Sequence, residues 1–337
     1  MQIAQLRKDD RFEGFLLVRT AEQRTSNANG SRYLDMTLTD ASGEINAKMW
    51  DGQTAPPPAG SVIKVRSTVQ EYNGRLQMRV ERMRAAVKTD DVDYSALTKV
   101  APEPADDMYA ELADTVAGMT WEPLRKLMEQ LLILTREKLM YFPAAQRLHH
   151  AERSGLLHHT VTMLRAAKAL LPLYPFLNGD LLCAGVIAHD LSKTTEMLAD
   201  EMGIVPDYTV SGLLLGHLVE GTHLVNEAAR AAGVAKDDEC VLLLNHMLIS
   251  HHGQPEFGSP KPPMFPEAEA LHMIDDLDAK MNQMEDVMLR TPAGVFSDRI
   301  WAFDRRLYHP RYPDAMELPF EEDTGSFTAK GGYDGLL

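Results

Sequence analysis

Apolar positions in this chain keep two different rhythms, and the change falls near residue 100. Between Phe12 and Val80 they alternate with polar ones in short runs: Phe12–Val18, Tyr33–Thr39, Glu44–Trp50, Val62–Val65 and Leu76–Val80. Alternation with period two turns one face of each run toward a core, as a half-buried strand requires. Turn chemistry separates the runs. A polar loop spans Arg24 to Ser31, Asp40-Ala41-Ser42-Gly43 closes a hairpin, and Pro56 to Gly60 is a second loop. The Asn-Gly of Tyr72-Asn73-Gly74-Arg75 is the strongest short hairpin signal. Five such strands predict a small β-barrel over 1–88, and the pattern alone leaves its topology open. Residues 89–105, with Asp90-Asp91, Pro102 and Pro104, read as a linker. From Asp106 the apolar positions recur every three or four residues. They predict helices over Asp106–Gly118, Trp121–Met140 and onward, in a domain reaching to residue 320. The tail, 321–337, keeps neither rhythm; it is expected to be flexible, or ordered only against a partner chain.

The helical rhythm exposes polar residues that do not belong on its apolar faces. Stepping by three and four from Leu156 gives His159, Met163, Ala166 and Leu170, whereas His158 falls with Thr162, Arg165 and Ala169. His159 should therefore point inward and His158 outward. Leu182, Val186, His189 and Asp190 share the face of a next helix, with Asp180 as its expected N-cap. His217 lies with Leu213, Leu214, Gly221 and Leu224. His251 and His252 follow a helix over Cys240–Ser250, with Gly253 as the residue beyond it. Asp275 and Asp278 share a face with Ala268 and Leu271. A carboxylate on an apolar face needs a partner, because burying it bare is costly.

A metal is the simplest partner. Imidazole nitrogen and carboxylate oxygen together suit divalent Mn, Fe, Co or Zn. An adjacent His-Asp pair lets one carboxylate bridge two ions. Two bridged ions suit phosphate-ester hydrolysis, because they generate hydroxide and clamp the developing charge. The chain holds 12 His, and any one of them could simply be packed. It is the ordered set His159, His189, Asp190, His217, His251, His252 and Asp275 that points to metal; His223 and His246 lie off these faces.

The stretches GLLHHTVTMLRAAK (155–168), AGVIAHDLSKTTEM (184–197), GLLLGHLVEGTHLV (212–225), LISHHGQPEFGSPKPPMFPEAEALHMIDDLDAKM (248–281) and FSDRIWAFDRRLYHP (296–310) carry a more specific signal. The order H…HD…D resembles the HD superfamily of metal-dependent phosphohydrolases, and the two extra His positions resemble its two-metal branch. The longer stretches resemble the YhaM-type 3′→5′ exoribonucleases over roughly residues 10 to 310. One departure is Ser192, where that family usually has Gly after the His-Asp-hydrophobic run.

The resemblance implies an α+β multidomain chain, an OB-type β-barrel followed by an all-α HD domain. It implies two divalent ions, Mn first, with Fe, Co, Mg or Zn as alternatives. His159, His189, Asp190 and Asp275 would hold one, and His217, His251 and His252 the other, with Asp190 bridging. Asp278 competes with Asp275 for the last ligand position. Lys193 would contact a non-bridging phosphate oxygen, His272 would support a ligand, and His149 and His150 would reach the substrate or simply pack. The expected reaction releases nucleoside 5′-monophosphates from the 3′ end of single-stranded RNA, or DNA.

OB-folds hold single strands by stacking bases on aromatics over a basic groove. Tyr33, Trp50 and Tyr72, with Lys48, Arg66 and Arg75, are the candidates; filling of the barrel is the other role open to Tyr33 and Trp50. A net charge of −15 argues against a nucleic-acid partner at first sight. It is unevenly spread: residues 1–90 carry 14 Lys and Arg against 11 Asp and Glu, the remainder 20 against 38. The N-terminus lacks a signal-peptide pattern, no run approaches the roughly 18 apolar residues of a membrane helix, and Cys183 and Cys240 fall in apolar helices. A cytoplasmic protein with no membrane partner is expected, and a homo-oligomer stays open. A phosphodiesterase or nucleotidase for a small nucleotide would use the same ligands, but would have no need of the barrel. A protein that guards 3′ ends would not need a complete ligand set.

Overall fold

The alternating segment closes on itself. In the computed structural model, which describes residues 2–26, 30–51, 54–72, 74–87, 89–93, 96–146, 150–200 and 202–312, five strands form a closed barrel. They are β1 (Arg11–Thr25), β2 (Arg32–Asp40), β3 (Gly43–Met49), β4 (Val62–Tyr72) and β5 (Arg75–Ala85). The order around the barrel is β1-β2-β3-β5-β4, with β1 also paired to β4. Only β3–β5 is parallel among these pairs. Inward positions such as Leu16, Val18, Leu34, Met36, Leu38, Val65 and Met78 are buried and make a separate core. The expectations for Asn73, His149 and residues 321–337 fall outside the described residues.

Three strands run past their predicted ends. β1 continues through Arg19–Thr25, where nearly every side chain is exposed, because β2 supplies a ladder of partners from Thr20↔Thr37 to Thr25↔Arg32. β4 and β5 likewise pair out to Tyr72↔Arg75. Backbone pairing, not burial, holds the ends of β1 and β5, so no apolar alternation announces them. By contrast, β4 keeps alternating through buried Ser67 and Val69 before its exposed end at Glu71 and Tyr72.

The second region contains α1 (Ala105–Ala117), α2 (Glu122–Leu139), α3 (Gly155–Leu170), α4 (Gly179–Ala188), the single turn α5 (Lys193–Glu196), α6 (Val210–Ala231), α7 (Glu239–Ser250) and α8 (Pro266–Arg290). Helices α3, α4, α7 and α8 pack against one another around Leu157, Leu164, Val186, Leu244 and Leu271. The region is not purely helical. Short hairpins β6–β7 (Met197–Leu198, Asp207–Tyr208) and β8–β9 (Phe296–Ile300, Arg305–Tyr308) interrupt it. Residues 99–101 are bonded to Arg153 through backbone hydrogen bonds. Cys183 and Cys240 are buried, and burial pushes their thiols up to about 11 and about 12.

Two local expectations need correcting. The N-cap of α4 is Asn178, whose side chain accepts from Leu181 N; Asp180 instead accepts from the Thr120 and Trp121 amides, tying α4 to the start of α2. Gly216 (φ 72°, ψ 164°) breaks α6, so the helical phase does not carry across it. Leu213 and Leu214 are exposed, and His217 opens the segment after the break. Among the described residues no helix is long and apolar enough to cross a membrane.

Candidate metal centre and nucleic-acid interface

Asp190, just past the end of α4, stands between two sets of ligand atoms. Its Oδ2 lies 3.3 Å from His189 Nε2 and 3.8 Å from His159 Nε2. Asp275 Oδ1 completes that set, 3.3 Å from His159 Nε2 and 3.9 Å from His189 Nε2. Asp190 Oδ1 faces the other set, 3.6 Å from His217 Nε2 and 3.8 Å from His251 Nε2. His217 and His252 meet Nε2 to Nε2 at 3.3 Å. All seven predicted residues thus converge, drawn from α3, the ends of α4 and α7, the break in α6, and α8.

The backs of the five imidazoles explain why their Nε2 atoms face inward. His189, His251 and His252 direct Nδ1 to the carbonyls of Val186, Leu248 and Phe257 at 2.8, 2.7 and 2.9 Å. A carbonyl only accepts, so each Nδ1 carries the proton and Nε2 keeps a lone pair for a cation. Carboxylates do the same elsewhere: Asp278 Oδ2 holds His159 Nδ1 at 2.7 Å, and Glu196 Oε1 holds His217 Nδ1 at 3.1 Å. Asp278 is therefore the support and Asp275 the inward-facing carboxylate. Supports of this kind fix the tautomer and ring angle of a metal ligand. Sequence reasoning missed Glu196 altogether; its only signal was its place three residues after Lys193.

Among the described residues, Asp190 Oδ1 and His251 Nε2 are buried here with no hydrogen-bond partner. Leaving such groups bare costs about 1–3 kcal/mol each. Both face the same set, so the donor chemistry fits a divalent cation there as well as in the first set. Burial and neighbouring His189 hold His251 well below the ordinary imidazole value, keeping its ring neutral. Burial opposes charge on Asp190, but Lys193 and His189 outweigh it and hold the carboxyl well below its usual range.

Lys193 Nζ sits 2.6 Å from Asp190 Oδ2, so it braces that carboxylate; its side chain is 13% exposed. His150 is buried and packed, not open to solvent: its Nε2 lies 2.9 Å from Asp278, and Glu152 and His158 continue the chain of contacts. Burial works against charge on His150, yet Asp278 and Glu152 raise it to about 9. His158 points away from the centre, as its helical phase predicts. His272 Nδ1 bonds the His251 carbonyl at 2.8 Å, and Gly253, three residues past the end of α7, takes a left-handed φ of 82° beside its ring.

Gly212 gives a test of the Glu196 support. A Cβ there would collide with the Glu196 carbonyl, which belongs to the backbone and cannot swing aside. Gly212→Ala is expected to displace the Glu196–His217 contact and, were a cation such as Mn held by the His217 set, to lower its affinity about tenfold or more. Calorimetric titration checks it; two unchanged Mn affinities would remove Glu196 from the centre.

On the barrel, Tyr33 and Trp50 pair with ring centroids 4.7 Å apart, and Lys48 Nζ lies 5.3 Å from the Tyr33 centroid and 5.6 Å from that of Tyr72. Trp50 and Tyr72 are 50% and 60% exposed, so they do not fill the barrel. Arg75 is the register partner of Tyr72, and a groove of about 1040 Å³ runs from this pair across Asn46 and Gln77. Arg66 does not join the group. It lies on the β1–β4 pair, 2.7 Å from Glu13.

The closed five-stranded barrel, in the order β1-β2-β3-β5-β4, is an OB-type barrel carrying an aromatic–basic face. Residues 17–86 match the tRNA_anti-codon family, described as an OB-fold nucleic acid binding domain. Two solved structures are similar in part. A replication protein A heterotrimer bound to ssDNA shares 14% identity at TM-score 0.20, covering 23% of this chain and 58% of that one. The second OB-fold domain of replication protein A from Methanococcus maripaludis shares 16% at TM-score 0.22, covering 27% of this chain and 98% of that one.

Proposed function

We propose that this chain is a metal-dependent 3′→5′ exonuclease that releases nucleoside 5′-monophosphates from single-stranded RNA, with single-stranded DNA as a second substrate. In this reading the helical region is an HD-type phosphohydrolase domain and the domain order is of YhaM type. The observation that carries it is Asp190, whose two oxygens face two separate sets of imidazoles. His159, His189, Asp190 and Asp275 would hold one divalent ion, and His217, His251, His252 and Asp190 a second. Such ions, Mn foremost, supply Lewis acidity and a lowered pKa for water. The chain's own residues do the rest. Asp278, Glu196 and three backbone carbonyls fix the Nδ1 side of the imidazoles and aim their Nε2 atoms, Lys193 offsets the buried charge of Asp190, and Tyr33, Lys48, Trp50 and Tyr72 hold the strand.

A 5′-labelled single-stranded RNA incubated with Mn, Mg, Co or EDTA is expected to give a ladder that shortens from the 3′ end with metal and none with EDTA. A 3′-phosphate should block it, and a stable duplex should stall it a few nucleotides short of the stem. Cleavage of a circular strand would overturn the exonuclease assignment. Hydrolysis confined to small nucleotides would favour a phosphodiesterase instead.

A further inference from the structure

The β8–β9 hairpin is a basic, aromatic island on an acidic region. Residues 91–337 carry 20 Lys and Arg against 38 Asp and Glu, yet residues 296–312 hold four Arg and only two Asp. The aromatics of this stretch face out: Phe296, Trp301, Tyr308 and Tyr312 are 54%, 87%, 48% and 60% exposed. They are organised. Phe296 and Tyr308 pair across the hairpin with centroids 5.1 Å apart, the Arg306 guanidinium lies 5.4 Å from the Phe296 ring, and that of Arg305 lies 5.9 Å from Phe303. The hairpin is also anchored. His309 Nδ1 donates to the Thr291 carbonyl at 2.5 Å, and backbone bonds join His309 to Gly294 and Val295. No step of the proposed reaction uses any of these residues.

We infer that the β8–β9 hairpin is a second single-strand-binding platform, stacking bases on Trp301 and the Phe296–Tyr308 pair while Arg305 and Arg306 meet phosphates. Exposed rings interleaved with guanidinium groups are what a sequence-tolerant single-strand site requires. The charge argues against a second copy as occupant, since a two-fold contact sets the same patch against itself and arginines against arginines. Helix α8 rises about 1.5 Å per residue, which separates the hairpin from Asp275 by roughly 20 Å, about six stacked nucleotides at ~3.4 Å each. The platform would hold strand well behind the end being processed. The inference rests on the proposed reading only for the class of ligand.

The test is fluorescence anisotropy of a 5′-fluorescein-labelled 20-nucleotide single-stranded RNA with the full chain in EDTA, so that no strand is consumed. Trp301→Ala combined with Tyr308→Ala is expected to weaken binding about tenfold or more, while Trp301→Phe with Tyr308→Phe restores it to within about threefold. Arg305→Ala with Arg306→Ala should reduce the slope of log affinity against log salt by roughly 1.4. Trp50→Ala with Tyr72→Ala serves as the barrel control. Loss of affinity in the barrel variant alone, with hairpin affinity and salt slope unchanged, overturns the platform and leaves the barrel interface standing. Unchanged affinity with a smaller assembly by sedimentation also overturns it and makes the hairpin a chain–chain contact. Because hydrolysis is never read, loss of affinity in the hairpin variants supports the platform even if the metal centre cleaves nothing.

Discussion

Asp190→Asn is expected to lower hydrolysis of single-stranded RNA by at least about a thousandfold. The substitution keeps the shape of the side chain but removes the negative charge of the carboxylate whose two oxygens face the two ligand sets. Metal-ion catalysis supplies several kcal/mol of charge stabilisation, and each ~1.4 kcal/mol is a factor of ten in rate. Asn is the better probe than Ala, because it can still hydrogen-bond Lys193, which otherwise loses a contact at 2.6 Å. His189→Ala should behave alike. Asp275→Asn and Asp278→Asn should then part company. The first removes an inward-facing ligand, whereas the second weakens the contacts behind His159 and His150, and for loss of such a support the usual cost is about 10–100-fold in metal affinity. Rates, bound metal by mass spectrometry and circular dichroism are the measurements. A folded Asp190→Asn protein with near-normal activity would sink the two-metal reading.

Divalent metal is expected to stabilise the fold markedly. A ligand at about 100 times its dissociation constant adds ~2.7 kcal/mol if it binds only the folded chain. For a domain of about 200 residues that corresponds to a rise in melting midpoint of roughly 5–10 °C. Two unpartnered buried atoms, Asp190 Oδ1 and His251 Nε2, are the groups whose desolvation a cation would offset. The rise should appear with Mn or Co, reverse with EDTA, and shrink in His251→Ala, which removes a ligand from one of the two sets. It should also shrink as pH falls, because protons compete for the imidazole lone pairs. A melting midpoint indifferent to Mn, Co and Zn would remove the metal reading and leave the hydrolysis proposal without a nucleophile.

Legibility in the sequence followed the physical origin of each signal. Inward-facing residues announced themselves, since a His or Asp on an apolar stripe is conspicuous: His159, His189, Asp190, Asp275 and Asp278 could all be placed from helical phase. Phase failed at His217, because Gly216 breaks the helix and a helical wheel assumes there is no break. The supports were less visible. Backbone carbonyls of Val186, Leu248 and Phe257 carry no side-chain signature, and Glu196 looks like any surface glutamate until its turn is folded against α6. Among the barrel candidates, Tyr33, Lys48, Trp50 and Tyr72 come together on one face while Arg66 lies apart on the β1–β4 pair, because sequence does not say which strand pair a side chain faces.

By itself the sequence determined the two rhythms, and hence a five-stranded β-region followed by helices, together with the residue types that converge on Asp190. Those are local properties, written in the spacing of apolar positions and in the rarity of carboxylates among them. Tertiary structure alone decided the barrel's closure, the choice of Asp275 over Asp278 as the inward carboxylate, and the division of ligand atoms between the two oxygens of one side chain. Each of these depends on where separate elements come to rest against one another, at distances of a few ångströms that residue spacing along a chain does not encode.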